Sequence, residues 1–223
     1  MSRRVKPRSY DGSGRRAAAE RTRLTILAAA RELFTAEGFG ATSVAAVAAR
    51  AGVSVDTIYA SVGRKAELLL AVHDMELAEG PAPVPAEQRD YVRAVRRERS
   101  AAAKIRTYSD AMARVLPRTV PLMVALREAG ATDPACAAQH EAVTERRAAN
   151  MRLLAAELRA TGEMREGLSD DHVADLIWSL NSPEWFLLVT SRNKTPDQYG
   201  DLLADVLTRT LLAHPEAVTA RRR

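Results

Sequence analysis

The fold of the N-terminal third of the chain is decided by residues 44–62, VAAVAARAGVSVDTIYASV. Helix-forming residues flank Gly52, and glycine readily adopts the positive φ that a tight turn between two helices requires. Val47 and Ile58 are spaced so that both face inward, and Ala48 is small where the two backbones approach each other. These offsets predict a helix-turn-helix, a motif whose second helix can enter a major groove.

Both helices of this motif have residues that favour a helix start. Thr42 or Ser43 can cap a first helix over about 44–51. Ser54 can cap a second helix over about 55–62. Side-chain oxygens at these positions can accept hydrogen bonds from the unpaired amides of the first helical turn.

Helical periodicity continues on both sides of the motif. One apolar stripe follows Arg21 and ends at Gly38 and Gly40, and another helix is predicted over residues 65–79. The first stripe consists of Ile26, Leu27, Ala30, Leu33 and Phe34, and the second consists of Leu68, Leu69, Val72 and Met75. We expect the first stripe to complete a three-helix core with the helix-turn-helix.

Positive charge is concentrated at the N-terminal end. Residues 1–65 contain 12 Lys or Arg and 5 Asp or Glu, whereas residues 66–223 contain 21 and 23. A polycationic end on a nearly neutral chain favours a polyanionic partner such as nucleic acid, although a solubilising tail would have the same composition. Residues 1–19 are rich in Arg, Ser and Gly, and we predict that they form a disordered basic arm.

The composition is that of a globular protein, with 47% apolar and 27% charged residues. No apolar run reaches the roughly 20 residues that cross a bilayer, and no secretory signal is apparent, so we expect a cytoplasmic location. Cys136 is the single cysteine, which excludes a disulfide within the chain. Cys136 and His140 lie one helical turn apart but lack further metal ligands nearby. We predict no metal, no cofactor and no enzymatic activity.

The chain is also expected to be helical beyond the Gly- and Pro-rich segment 80–85. The predicted helices cover about 87–97, 100–116, 118–129, 134–161, 170–191 and 196–213. Pro117 is expected to break one helix, and Ser182 and Pro183 to restart another. No alternating strand pattern is present, so the predicted fold is all-α, with an N-terminal helix-turn-helix domain and a C-terminal helical bundle domain.

The segment ARELFTAEGFGATSVAAVAARAGVSVDTIYASVGRKAELLLAV resembles the signature of the TetR family of bacterial repressors. The matching stretch covers about residues 20–75. The segments LIWSLNSPEWFLLV and YGDLLADVLTRTLL are similar to the dimerisation helices of that family. The resemblance implies an all-helical homodimer that reads a palindromic DNA operator with its N-terminal domain and binds a small molecule with its C-terminal domain.

The resemblance also implies which residues contact DNA. Those expected at the phosphate backbone or groove are Thr42, Ser43, Ser54, Thr57, Tyr59, Arg64 and Lys65. Those expected to point at base edges are Val55, Asp56, Ala60 and Ser61. The family often has an aromatic residue or histidine at the positions of Ala60 and Ser61. The small side chains here predict less direct base contact and a larger share of the affinity for the basic arm.

A mostly apolar ligand pocket is expected between the C-terminal helices, where small-molecule sites are common. Its predicted lining consists of Tyr108, Met112, Leu116, Met123, Asn150, Met151, Trp178 and Trp185. Methionine adapts to irregular ligands, tryptophan adds a polar N–H, and Asn150 or His140 could orient a ligand. The same residues would equally suit a plain hydrophobic core.

The C-terminal helices carry more apolar surface than one subunit is expected to cover. This surface consists of Leu187 and Leu188 in one helix and Leu202, Leu203, Val206, Leu207 and Leu211 in the next. We expect two copies to pair through these helices about a two-fold axis in a four-helix bundle. Packing within the subunit is the alternative.

The sequence therefore predicts a basic arm over 1–19, a DNA-binding domain over 20–66, and a ligand-binding and dimerisation domain over 67–223. The expected function is a transcriptional repressor that a small, largely hydrophobic ligand releases from its operator. A regulator controlled by a partner protein or by its abundance, with no small molecule, remains open. An enzyme with an incidental helix-turn-helix is a further alternative, and the sequence does not separate a repressor from an activator.

Overall fold

The computed structural model describes residues 13–215, which form ten α-helices and one short 3-10 helix. The α-helices are α1 (Ser13–Glu37), α2 (Val44–Ala51), α3 (Val55–Ser61), α4 (Lys65–Ala78), α5 (Asp90–Arg97), α6 (Ala101–Gly130), α7 (Pro134–Arg159), α8 (Asp170–Leu180), α9 (Pro183–Thr190) and α10 (Pro196–Leu211). The 3-10 helix covers Ala86–Gln88. No strand occurs within residues 13–215, so the all-α prediction is confirmed. No helix in this range is long and apolar enough to span a bilayer.

The local signals around the helix-turn-helix act as predicted. The hydroxyl of Ser43, and not that of Thr42, accepts the N–H of Ala46 and caps α2. Gly52 ends α2 with φ of 67°, in the left-handed region that favours glycine. Ser54 caps α3 by accepting the N–H of Thr57. Because each cap satisfies an amide that the helix leaves unpaired, both short helices have defined ends.

Helix α1 begins earlier than the sequence suggested. Residues 13–19 were expected to belong to a disordered arm, but they form the first turns of α1. Arg15, Arg16 and the three alanines that follow are strong helix formers, and they outweigh Gly14 and the high charge. The arm predicted for residues 1–12 lies outside the described residues.

Helix α6 corrects the break predicted at Pro117. A single helix runs from Ala101 to Gly130 through both Pro117 and Pro121. Each proline removes one N–H from the helix, but side chains on both sides of Pro117 are buried in the core, including Leu116 and Val120. The free energy of burying this apolar face outweighs the two missing hydrogen bonds.

The buried side chains form two hydrophobic clusters. The N-terminal cluster contains side chains of α1 to α4 together with Leu122, Leu126 and Cys136 from α6 and α7. The C-terminal cluster contains side chains of α5 to α10. The N-terminal cluster does not end at residue 66, the predicted domain boundary, because the apolar face of α4 belongs to it. The predicted division into an arm, a DNA-binding domain and a ligand-binding and dimerisation domain is not tested by this packing and stays a prediction.

Helix α10 packs closely on α6 within the same subunit. A Cβ at Gly200 would lie 3.0 Å from the Cβ of Ala113, so the two backbones approach where glycine leaves room. Leu203, Leu207 and Leu211 are buried in this contact. Packing within the subunit thus accounts for part of the apolar surface of the last helix.

Replacing Pro121 by alanine should stabilise the protein. Pro121 is exposed, so its ring contributes little to the core, and alanine restores an N–H that can bond the carbonyl of Pro117. We expect Pro121→Ala to raise the free energy of unfolding by about 1–3 kcal/mol, measured by urea denaturation. Pro134→Ala is the matched control, since Pro134 is exposed but occupies the first turn of α7, where no N–H is needed. A gain in the control equal to that of Pro121→Ala would contradict this explanation.

Candidate DNA-binding surface and ligand cavity

Helix α3 is fixed to the body of the domain on one side and exposed on the other. Ile58 is fully buried, and Arg23 of α1 donates a hydrogen bond to the carbonyl of Ser61 at 2.8 Å. Among the predicted base-contacting residues, Asp56 and Ala60 are exposed, and Val55 and Ser61 are half-buried. The helix therefore presents a rigid outer face that is free of large apolar side chains apart from Tyr59.

The hydroxyl groups predicted to meet phosphate fall into two groups. The Thr42 side chain is buried, and both its hydroxyl and its backbone N–H donate to the carbonyl of Gly38. Thr42 is therefore not available for the contact predicted, because its donors hold the turn between α1 and α2. Ser43 and Ser54 are exposed at the starts of α2 and α3. Thr57 is half-buried, and its hydroxyl lies 2.8 Å from that of Ser54.

Lys65 joins the start of α4 to the turn before α2. Its ammonium donates to the carbonyl of Gly40 at 3.4 Å and lies 4.3 Å from the centroid of the Phe39 ring. Partial burial lowers the pKa of Lys65. Tyr59, Arg64 and Lys65 line one shallow surface depression. The structure thus brings together three of the residues predicted to hold the DNA backbone.

A cavity of about 170 Å³, partly open to solvent, lies between α4, the 3-10 helix, α5, α6 and α7. Six of the predicted ligand-binding residues line it: Tyr108, Met112, Leu116, Met123, Asn150 and Met151. Trp178 and Trp185 do not line the cavity. The Trp178 ring lies 5.4 Å from the Arg147 guanidinium, and the Trp185 ring packs 5.2 Å from that of Tyr199. Asn181 and Pro183, from the break between α8 and α9, reach the cavity instead.

A buried polar network forms one wall of the cavity. The amide of Asn181 donates to the hydroxyl of Tyr108, which donates to the sulfur of Met151 at 3.4 Å. Arg147 donates to the Asn181 side-chain oxygen at 2.6 Å and to the carbonyl of Trp178 at 3.1 Å. Burial raises the pKa of Tyr108, so its hydroxyl stays protonated. This network fixes polar atoms in an otherwise apolar wall.

Helix α4 reaches both the DNA-binding domain and the cavity. His73 and Leu77 line the cavity, whereas Leu68 and Val72 belong to the N-terminal cluster. His73 is buried, and burial lowers its pKa although the carboxylate of Asp74 lies 3.4 Å away. Its spacing of four residues from Leu77 could have identified His73 as inward-facing from the sequence.

Ion pairs attach α4 to the helices on both sides. Asp74 accepts two hydrogen bonds from Arg146 of α7, at 2.6 and 3.2 Å. Burial opposes ionisation of Asp74, but its bonds with His73 and Arg146 prevail and lower its pKa. Glu76 pairs with Arg118 of α6 at 2.9 Å. These contacts give α4 a specific position between α6 and α7.

The structure thus combines an exposed helix-turn-helix with a separate helical region that encloses a cavity, which is the architecture of helix-turn-helix transcriptional regulators. Residues 26–72 match the family described as bacterial regulatory proteins, tetR family. The match covers the helix-turn-helix and parts of the helices on either side of it, and it supports the resemblance to this family.

Solved structures support the same fold over most of the chain. A TetR transcriptional regulator from Chloroflexus aurantiacus is 19% identical, with a TM-score of 0.62, over 88% of this chain and 100% of that one. A protein from Saccharomonospora viridis assigned as a transcriptional regulator, solved with choline, is 15% identical with a TM-score of 0.66 over 87% and 100%. The regulator FadR from Bacillus subtilis, solved with stearoyl-CoA, is 15% identical with a TM-score of 0.64 over 82% and 96%. No curated protein sequence matches the chain.

Protonation of buried His73 should make the protein less stable in mild acid. The pKa of His73 is below 6.5 in the folded protein, so the unfolded chain binds a proton that the folded chain does not. As the pH falls below 6.5, the free energy of unfolding should therefore decrease, by at most about 1.4 kcal/mol per pH unit. Urea denaturation between pH 7.5 and 5.5 should find a shallower dependence in His73→Gln, and no such change in the exposed control His172→Gln. Identical slopes in the wild type and His73→Gln would disprove the assignment.

Proposed function

We propose that this protein is a homodimeric transcriptional repressor that leaves a palindromic operator when a small molecule occupies the cavity between α4 and α6. The observation that carries the proposal is the position of α4. This helix begins at Lys65, beside the exposed recognition surface, and contributes His73 and Leu77 to the cavity. The two relatives solved with choline and with stearoyl-CoA support control by a ligand.

The DNA-binding surface combines the outer face of α3 with basic and hydroxyl groups around it. Val55, Asp56, Ala60 and Ser61 are proposed to meet base edges in the major groove. Ser43, Ser54, Thr57, Tyr59, Arg64 and Lys65 are proposed to contact phosphates and to set the orientation of α3. A protein acting on bacterial chromosomal DNA works in the cytoplasm, and its proposed role is binding without catalysis.

The apolar residues left uncovered on α9 and α10 are proposed to form the dimer interface. Leu187 and Leu188 are 44% and 64% exposed, which is unusual for leucine side chains on one short helix. Leu202 and Val206 of α10 are half-buried and extend the same kind of surface. Pairing about a two-fold axis would bury these side chains and place two copies of α3 about 34–36 Å apart, one turn of DNA.

Coupling between ligand and DNA follows from the restraints on α4. A ligand that enters between α4 and the α6 wall at Met112 and Leu116 pushes on His73 and Leu77. Displacement of α4 strains its ion pairs with Arg118 and Arg146 and moves Lys65 and α3. Because ligand and DNA then favour different arrangements of the dimer, each weakens binding of the other by the same factor.

Removing the charge of Lys65 should weaken DNA binding regardless of sequence. The operator is first identified by sequencing genomic fragments that the purified protein retains. Lys65→Gln should then reduce affinity for operator and random DNA alike, and lower the slope of log K against log salt by about one. Lys194→Gln is the matched control, since Lys194 is exposed in the segment before α10 and far along the chain from α3. Loss of operator preference at unchanged overall affinity would contradict a phosphate contact.

Filling the cavity should mimic the ligand. Met112 is buried in the cavity wall, so Met112→Trp places an indole in the space of about 170 Å³. We expect operator affinity, measured by fluorescence anisotropy, to fall by about 5- to 150-fold, the usual range for allosteric coupling. Gel filtration and circular dichroism should find the dimer still folded. Ala149→Trp adds an aromatic ring at an exposed position of α7 outside the cavity lining and should leave affinity unchanged. Full affinity of a folded Met112→Trp dimer would refute the coupling.

A further inference from the structure

The cavity contains a buried arginine that the fold does not pair. Arg89 precedes the first turn of α5 and lines the cavity with its side chain only 5% exposed. Its Nε is fully buried without a hydrogen-bond partner. Among residues 13–215, its guanidinium has no ion pair either. No pattern in the sequence identified this residue, because it lies just after the Pro-rich segment and outside any helical stripe.

A buried guanidinium nitrogen without an acceptor is costly, since the hydration that it loses is not replaced. Buried arginines are normally paired with carboxylates, often through two parallel hydrogen bonds. The carboxylates around this cavity are committed elsewhere or exposed. Asp74 accepts both bonds from Arg146, and Glu157 pairs with Arg96 and Lys104. Glu87 lines the cavity but is exposed.

The remaining charges around the cavity are also predominantly positive. Its lining contains four arginines, Arg89, Arg96, Arg146 and Arg147, and two glutamates, Glu87 and Glu157. Within the described part of the chain, Arg147 is hydrogen-bonded only to neutral acceptors, the oxygens of Asn181 and Trp178. Arg89 and Arg146 both lower the pKa of His73, in addition to its burial, so their field reaches the cavity side of α4.

We infer that the cavity takes an organic monocarboxylate, whose carboxylate pairs with Arg89 while its apolar body lies against Met112, Leu116 and Val120. This inference deepens the proposed function and rests on it, since it names the ligand class of the same cavity. A single unpaired guanidinium and apolar walls suit one carboxylate better than a multiply charged phosphate ester. The ligand is thus an amphipathic acid, where the sequence suggested a largely hydrophobic molecule.

The volume of the cavity indicates the size of the group that it can enclose. A cavity of about 150 Å³ with apolar walls holds a benzene ring. The cavity of about 170 Å³ therefore has room for one aromatic ring, or a short aliphatic chain, with a carboxyl group attached. Benzoate and phenylacetate are suitable probes, and benzamide and phenylacetamide are their neutral counterparts of nearly the same shape.

The test is isothermal titration calorimetry of the full-length dimer with these four probes at pH 7.5. Each acid should bind at least about tenfold more tightly than its amide, because a charged hydrogen-bonded pair replaces a neutral contact. Arg89→Met should remove this preference while amide binding persists, and Arg89→Lys should keep part of it. Arg93→Met, on the exposed side of α5, is the matched control and should keep the full preference.

The stability of the ligand-free protein gives a second readout. If Arg89 has no partner in the fold, Arg89→Met removes an uncompensated charge, and the Tm should stay the same or rise. A fall in Tm of more than about 5 °C would mean that Arg89 is paired within the protein, and would overturn the inference.

The remaining outcomes separate this inference from the proposed function. Equal affinities for acid and amide, or no binding of any of the four probes, overturn the carboxylate assignment and leave control by another kind of ligand intact. The role as a DNA-binding repressor is judged independently, by operator binding of Lys65→Gln and Met112→Trp. Tight acid binding with no operator would support the ligand class and refute the repressor.

Discussion

The structure depends on the packing of α4 against both hydrophobic clusters at the same time. Leu68 and Leu69 near its start are almost fully buried in the N-terminal cluster, while Leu77 near its end packs against the C-terminal cluster. His73 lies between them and faces the cavity. Interiors are close-packed, so a helix held in this way cannot turn or slide without opening space in one cluster or the other. This packing supports the proposed transmission of a change in the cavity to α3.

The charged residues in the second half of α4 and directly after it fix the orientation of the helix and contribute little to the free energy of unfolding. Glu76 of α4 and Glu79, directly after the helix, pair with arginines of α6 at partly exposed sites, where each pair contributes about 0–1 kcal/mol. Asp74 is more buried and holds Arg146 with two hydrogen bonds. Since these pairs act on opposite sides of the helix, together they select one orientation among those that packing would allow. They are also easily broken, which suits the movement of α4 in the proposed mechanism.

Local features of the fold were predictable from the sequence, and long-range ones were not. Gly52 and Ser54 act through neighbours within a few residues, so their roles could be assigned from spacing alone, whereas spacing left the cap of α2 open between Thr42 and Ser43. The helix break predicted at Pro117 was wrong because burial against distant helices, which the local sequence does not encode, keeps α6 continuous. The same holds for the cavity: Met112 was identified by its helical stripe, whereas Arg89 becomes significant only when the tertiary structure shows that the nearby carboxylates are paired elsewhere or exposed. Trp178 packs against the Arg147 guanidinium of α7, a contact between helices that the periodicity of α8 does not reveal.

The composition of the N-terminal cluster has a consequence for how the protein is made. Leu122, Leu126 and Cys136 complete a core whose other members all precede residue 76. During synthesis, which proceeds from the N-terminus, the helix-turn-helix emerges from the ribosome well before these three side chains. A nascent chain that ends within α5 exposes part of the apolar surface of α1 and α4. The DNA-binding unit can therefore reach its final stability only after the start of α7 has been translated, so a truncated product would not yield a fully formed competitor for the same DNA site.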